Sequence, residues 1–147
     1  MQRHYLHTGH IFASAEPSIV TTVLGSCVSV CLWDVENGIG GLNHYLLPYR
    51  IGETSANSRF GSLATVELIE RVEALGARRR HLRAHIVVGS AILTGRESAS
   101  LGRLNADLAT DMLRDARIAV VSTDVGGTRG RKVTFHTGSG DMQVRLL

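Results

Sequence analysis

Cysteine and proline are both scarce in this chain, two of each among 147 residues. Two cysteines make no disulfide framework. If Cys27 and Cys31 share a strand, four residues at about 3.3 Å each hold them about 13 Å apart, beyond the reach of a disulfide. A reduced, cytoplasmic protein is expected. No Pro/Ser-rich linker, internal repeat or low-complexity tract is visible, so the expectation is one domain over residues 1–147. A chain of this size buries roughly 70% of its unfolded surface and needs no staple. An apolar run of about 18 residues, as a membrane span requires, is missing, and Met1-Gln2-Arg3-His4-Tyr5 lacks the apolar core of a signal peptide. No direct membrane insertion is expected.

Aromatic residues are only 5% of the chain. The net charge is +3, with clusters at Arg78-Arg79-Arg80 and Arg83, and at Arg129, Arg131 and Lys132. A basic run can grip phosphates, but without an aromatic platform or a recognised motif it does not make a nucleic-acid interface. The triplet follows a helix end predicted at Gly76, where cations complement the helix dipole. A nucleic-acid-binding domain is kept only as a rival reading. Of the seven histidines, His81 and His85 have a spacing that would ligate zinc on a helix. Gly76 ends that helix, and on a strand the pair lies too far apart, so no metal and no cofactor are expected.

Phe60, Leu63, Ala64, Leu68, Ile69, Val72 and Leu75 recur at helical spacing, and a second amphipathic helix runs from about Leu101 to Ala116. Tyr5–Ala13, Ile19–Leu24, Cys27–Trp33, Ile39–Leu47, His85–Val88, Ile118–Asp124, Lys132–His136 and Met142–Leu146 read as strands. Gly52 to Ser58 reads as a polar loop, and Gly138-Ser139-Gly140 as a hairpin turn. Strands outnumber helices and short turns link them. The fold class is therefore α+β, a layered α/β sandwich of mixed or antiparallel sheet with helices packed outside.

Chemistry concentrates between Thr21 and Pro48. Cys27 follows the turn pair Gly25-Ser26, and His44 comes seventeen residues later, past Gly38 to Gly41. A free thiol is only a few per cent ionised at neutral pH and needs a base beside it. A return of the chain through Glu36-Asn37-Gly38 would bring His44 back toward Cys27. By default a strand cysteine is a small core side chain. Cys31, set between Val30 and Leu32 with no glycine nearby, is assigned to the core.

Leu24-Gly25-Ser26-Cys27-Val28-Ser29-Val30-Cys31-Leu32-Trp33-Asp34 and Gly40-Gly41-Leu42-Asn43-His44-Tyr45-Leu46-Leu47-Pro48 resemble the chemoreceptor glutamine deamidase family, CheD, of bacterial and archaeal chemotaxis. Arg59-Phe60-Gly61, Leu75-Gly76-Ala77, Gly102 with Asn105, Asp124-Val125-Gly126-Gly127 and Gly130-Arg131-Lys132-Val133 extend the likeness in the same order. One departure is visible: His85-Ile86-Val87-Val88-Gly89-Ser90 stands where the family carries a lysine and a Gly-Gly pair. The resemblance implies a single deamidase domain with the fold of bacterial toxin deamidases. It implies Cys27 as nucleophile, His44 as its base and Thr21, six residues before the cysteine, as the third member of a triad. The backbone at Ser26 and Cys27 would hold the oxyanion, and Asn43, Gly126 and Gly127 would bind substrate.

The implied reaction hydrolyses glutamine side-chain amides of methyl-accepting chemoreceptors to glutamate and ammonia through a cysteine thioester. The implied partners are the cytoplasmic helical region of those receptors and the phosphatase CheC. Glutamyl methyl-ester hydrolysis is a plausible side activity of the same residues. The alternative reading is a non-catalytic chemotaxis adaptor that binds receptors or a CheC-type phosphatase.

Overall fold

In the computed structural model, which describes residues 1–46, 54–89, 96–127 and 129–147, the segment Cys27–Asp34 is a strand buried along its whole length. A strand with no exposed face must be covered on both sides. Its alternation decides what covers each. Val28, Val30 and Leu32 pack with Leu68, Ile69, Val72, Ala109 and Leu113 from two helices. Cys27, Cys31 and Trp33 pack with Val20, Leu24, Val133 and Phe135 from a second sheet. The result is three layers: helices, a central sheet, and an outer sheet.

The chain runs β1 (Gln2–Tyr5), β2 (Ile11–Ser14), β3 (Ser18–Leu24), β4 (Cys27–Asp34), β5 (Gly40–Asn43), β6 (Tyr45–Leu46), α1 (Thr54–Ala74), β7 (Leu82–Val88), α2 (Arg96–Asp115), β8 (Ala119–Asp124), β9 (Arg131–His136) and β10 (Met142–Leu146). The outer sheet has the order β1-β3-β9-β10. The central sheet has the order β2-β5-β4-β7-β8, with β6 continuing beside β4. β7 and β8 are parallel, and α2 lies between them in the chain. A parallel pair needs such a crossover, whereas the β4–β5 pair is antiparallel and turns back directly.

That return is built by Asp34. Its carboxylate accepts hydrogen bonds from Glu36 N, Asn37 N and Asn37 Nδ2 at 2.8, 2.8 and 2.9 Å, and from Arg78 N at 2.8 Å. Burial pushes its pKa up, but these bonds outweigh it and hold the carboxyl at about 2. Arg78 follows the end of α1, so one buried side chain ties the hairpin to the helix. The helix stops at Gly76, whose φ of 113° favours glycine, and Ala77 N closes the last turn on Val72 O at 3.0 Å.

The α+β class expected from the sequence is observed, with differences in detail; β7 starts at Leu82 and α2 at Arg96, both earlier than expected. The strand expected at Tyr5–Ala13 is not continuous: it takes in only the last residue of β1, in the outer sheet, and Ile11–Ala13 of β2, in the central one, with the chain crossing between the sheets at residues 6–10. The strand expected at Ile39–Leu47 is interrupted at His44, where Val30 N turns to the Asn43 side chain and His44 bonds irregularly to the preceding turn, with His44 N on His10 O and Gly9 N on His44 O; Leu47 lies outside the described residues. Thr54, Ser55, Asn57 and Ser58, read as loop, belong to α1, while Gly52 and Glu53 lie outside the described residues. The hairpin at Gly138 to Gly140 joins β9 and β10 as expected.

Candidate active site

One end of the sandwich gathers the start of β4 and the ends of β3, β6, β7 and β8. Cys27 pairs with Leu46 and Val28 with Tyr45. Residues directly opposite share a face, so His44, two before Leu46, falls on the Cys27 face, toward the outer sheet, where it meets Thr22 of β3. On the other side of β4, Gly89 N donates to Cys27 O at 2.8 Å. A Cβ on Gly89 would stand 2.3 Å from Gly25 O, so only glycine lets the end of β7 close on the cysteine turn. Ser26 is half-buried in that turn. Ser90, the last residue of the segment that departs from the family pattern, lies outside the described residues.

His44 is buried, and its polar atoms are all engaged. Its backbone N donates to His10 O at 3.2 Å, and its O accepts from Gly9 N at 2.7 Å. Thr22 Oγ1 lies 2.7 Å from Nδ1, and Thr8 Oγ1 lies 3.3 Å from Nε2. The Thr22 hydroxyl also donates to Leu6 O at 2.8 Å. A hydroxyl has one proton, so with that proton on Leu6 O it can only accept from His44. The network therefore assigns the proton to Nδ1 and leaves Nε2 with its lone pair, the state a general base requires. Burial lowers the imidazole pKa, opposed by the Leu6 carbonyl.

The threonine on His44 is Thr22 and not Thr21. β3 alternates, and Val20, Thr22 and Leu24 are buried toward Cys27 and Phe135. Thr21 points the other way, half-buried on the outer face opposite Thr134. The position six residues before the cysteine is thus off the site, and the one five before it is on it. Val20 and Leu24 share parity with Thr22, which is the signal that marks it. Ile19 and Val23 are apolar too, so the sequence leaves the two faces of β3 indistinct.

Cys27 is buried and makes no hydrogen bond to the imidazole among the described residues. Burial pushes its thiol pKa up. Cys31, on the same face, is fully buried, and its thiol is pushed up to about 12 by burial, with Ser29 opposing weakly at 3.8 Å. Both cysteines are free.

Asn43 is buried on the opposite face of the strand. Its Oδ1 accepts from Val30 N at 2.8 Å, and its Nδ2 has no hydrogen-bond partner among the described residues. Gly126 and Gly127 follow β8 at the cysteine end of the molecule. Arg131, buried beside Leu24, donates from Nη2 to Gly126 O at 2.8 Å and from Nε to Asp124 at 3.0 Å. It ties the glycine turn to the strand that leads into Cys27.

The basic clusters are partly neutralised. Arg79 pairs with Glu73 at 2.7 Å, and Arg131 is spent on Asp124. His81 lies 3.6 Å from Asp34. His85 stands apart in β7, meeting Ser122 Oγ at 2.6 Å and Gly140 O at 2.9 Å. Among the described residues no group of three or more His, Cys, Asp or Glu side chains is placed to hold a metal. No helix among them is long and apolar enough to cross a membrane.

Residues 46–146 match the family model described as CheD chemotactic sensory transduction. Cys27 and His44 precede that span, but whole-length relatives take them in. A protein of Anaeromyxobacter dehalogenans named "Probable chemoreceptor glutamine deamidase CheD 1" is 46% identical over 97% of this chain and 84% of its own length. A protein of Trichlorobacter lovleyi named "Probable chemoreceptor glutamine deamidase CheD" is 44% identical over 95% of this chain and 88% of its own length. Another so named, from Sulfurimonas denitrificans, is 37% identical over 99% and 95%. On the family match and these relatives, the chain belongs to the CheD family.

Proposed function

We propose that this chain is a protein-glutamine deamidase that converts glutamine side chains of methyl-accepting chemoreceptors to glutamate, with Cys27 as nucleophile, His44 as base and Thr22 as the residue that orients it. The observation that carries the reading is the hydrogen-bond chain Leu6 O, Thr22 Oγ1, His44 Nδ1, which leaves Nε2 basic on the face it shares with Cys27. The names of the relatives supply the substrate class.

In the reaction, His44 Nε2 takes the Cys27 proton and the thiolate attacks the carboxamide carbon, forming the carbon–sulfur bond. Backbone N–H groups at Ser26 and Cys27 stabilise the oxyanion. The imidazolium proton goes to the nitrogen as the C–N bond breaks, and ammonia leaves. Neutral His44 then takes a proton from water, hydroxide adds to the thioester, and glutamate departs as the thiol is restored. Gly126, held by Arg131, and Gly127 border this end and would meet the substrate backbone. A shared fold with toxin deamidases, the cytoplasmic helical region of receptors as the docking partner, and regulation by the phosphatase CheC belong to the same reading.

A second reading, a non-catalytic adaptor that binds receptors or CheC, is favoured by one observation: the Cys27 thiol is not hydrogen-bonded to His44, and burial raises its pKa. Ammonia release from a receptor cytoplasmic fragment separates the two. A deamidase releases ammonia and its Cys27→Ala variant does not; an adaptor binds the fragment and releases none.

A further inference from the structure

The turn between β1 and β2 touches His44 at three atoms. Gly9 N bonds to His44 O at 2.7 Å, His44 N bonds to His10 O at 3.2 Å, and Thr8 Oγ1 stands 3.3 Å from Nε2. Because Nδ1 carries the ring proton, Nε2 presents a lone pair, and the Thr8 hydroxyl donates to it. The same lone pair is the one the proposed chemistry needs for the Cys27 proton. An imidazole nitrogen has a single lone pair in the ring plane, so the Thr8 hydroxyl and the Cys27 thiol compete for it.

We propose that Thr8 masks the base of this site: its hydroxyl occupies His44 Nε2 in the resting enzyme and yields it to Cys27 Sγ–H when the nucleophile is activated. The inference rests on the Cys27–His44 pairing of the proposed function. Three features support it. The Thr8 contact is long for a hydroxyl donor, and a long bond to an exposed side chain is readily exchanged. The imidazole does not depend on Thr8 for its place, since Thr22 holds Nδ1 and the Gly9 and His10 backbone holds the main chain. The thiol is free to take the vacated lone pair, because Cys27 has no hydrogen bond to the ring.

The test is the rate of iodoacetamide alkylation of Cys27 at pH 7, measured in the Cys31→Ala background so that one thiol reports. It uses no receptor, so its outcome is independent of whether glutamine is the substrate. Failure to deamidate would remove the proposed function and leave this result standing. Thr8→Val removes the hydroxyl at similar volume and is expected to alkylate about fivefold faster, the worth of one weak neutral hydrogen bond. Thr8→Ala, with a smaller side chain, is expected to show the same gain, and Thr8→Ser to keep the original rate. Adding His44→Ala to Thr8→Val should abolish the gain, because the effect passes through the imidazole. Alkylation of Thr8→Val and Thr8→Ala at or below the original rate would overturn the proposal. So would a gain that survives His44→Ala.

Discussion

Thr22 Oγ1 and His44 Nδ1 are 2.7 Å apart across the two sheets, joining β3 of the outer sheet to the break between β5 and β6 in the central one. The contact fixes the histidine tautomer and, with Leu6 O, satisfies two buried groups with one hydroxyl. Thr22→Val would remove the hydroxyl that bridges the Nδ1 proton and the Leu6 carbonyl. Turnover should fall, by up to the roughly 10²- to 10⁴-fold that general-base catalysis supplies, and stability by about 1–3 kcal/mol. Thr22→Ser keeps the hydroxyl and should retain much of the activity. Thr21→Val, on the outer face, should change little. Steady-state ammonia release across the three variants decides it. A silent Thr22→Val beside a damaging Thr21→Val would return the role to Thr21.

The pH dependence follows from the burial of His44. Its imidazole is held below the ordinary histidine range, so the neutral base survives into mildly acidic solution. Protonation through that lowered pKa removes the base. The acid limb of kcat/KM should therefore have its midpoint below the ordinary histidine value of about 6.5. A midpoint above that value would show that the imidazole is charged at rest and paired with a thiolate, contrary to the neutral pair described here.

The two cysteines share a strand face and should behave differently. Cys27→Ala should abolish activity with the fold intact. Cys31, fully buried with its thiol pushed up to about 12, is a core side chain. Cys31→Ala should cost about 1 kcal/mol and leave turnover near the original. Loss of turnover in Cys31→Ala with an unchanged circular dichroism spectrum would mean the wrong thiol has been assigned.

Asp34 predicts an acid-sensitive fold. Its folded-state pKa of about 2 lies below the ordinary carboxylate value, so its contribution is complete above the unfolded value and is lost as pH falls from about 4 toward 2. Asp34→Asn should lower stability by about 1–3 kcal/mol at pH 7 and flatten the acid limb of a denaturant-midpoint series. Parallel acid limbs in the two proteins would contradict the assignment.

Much of this was legible in the sequence. The alternation of β4 separates Val28, Val30 and Leu32 from Cys27, Cys31 and Trp33, and the structure puts the first set under helices and the second between sheets. Gly76 marks the end of α1. The partner of His44 was not legible, because β3 carries apolar residues on both faces and adjacent threonines at the decisive position. Nor was Thr8: it reaches His44 only because the chain crosses from one sheet to the other at residues 6–10, and strand alternation carries no record of a crossing between sheets. The bond from Val30 N to the Asn43 side chain was not legible either, since alternation does not show where a side chain replaces a backbone rung.

The most direct test of the central claim is mass spectrometry of a chemoreceptor cytoplasmic fragment after incubation with the wild-type chain and with Cys27→Ala. Replacing a side-chain amide by a carboxyl adds about one dalton, and performing the reaction in ¹⁸O water adds about two more at the same residue, because hydrolysis places one water oxygen in the new carboxyl. The account predicts both gains at a glutamine with the wild-type chain and neither with Cys27→Ala. An unmodified fragment that still binds the wild-type chain, or equal conversion by Cys27→Ala, would contradict it.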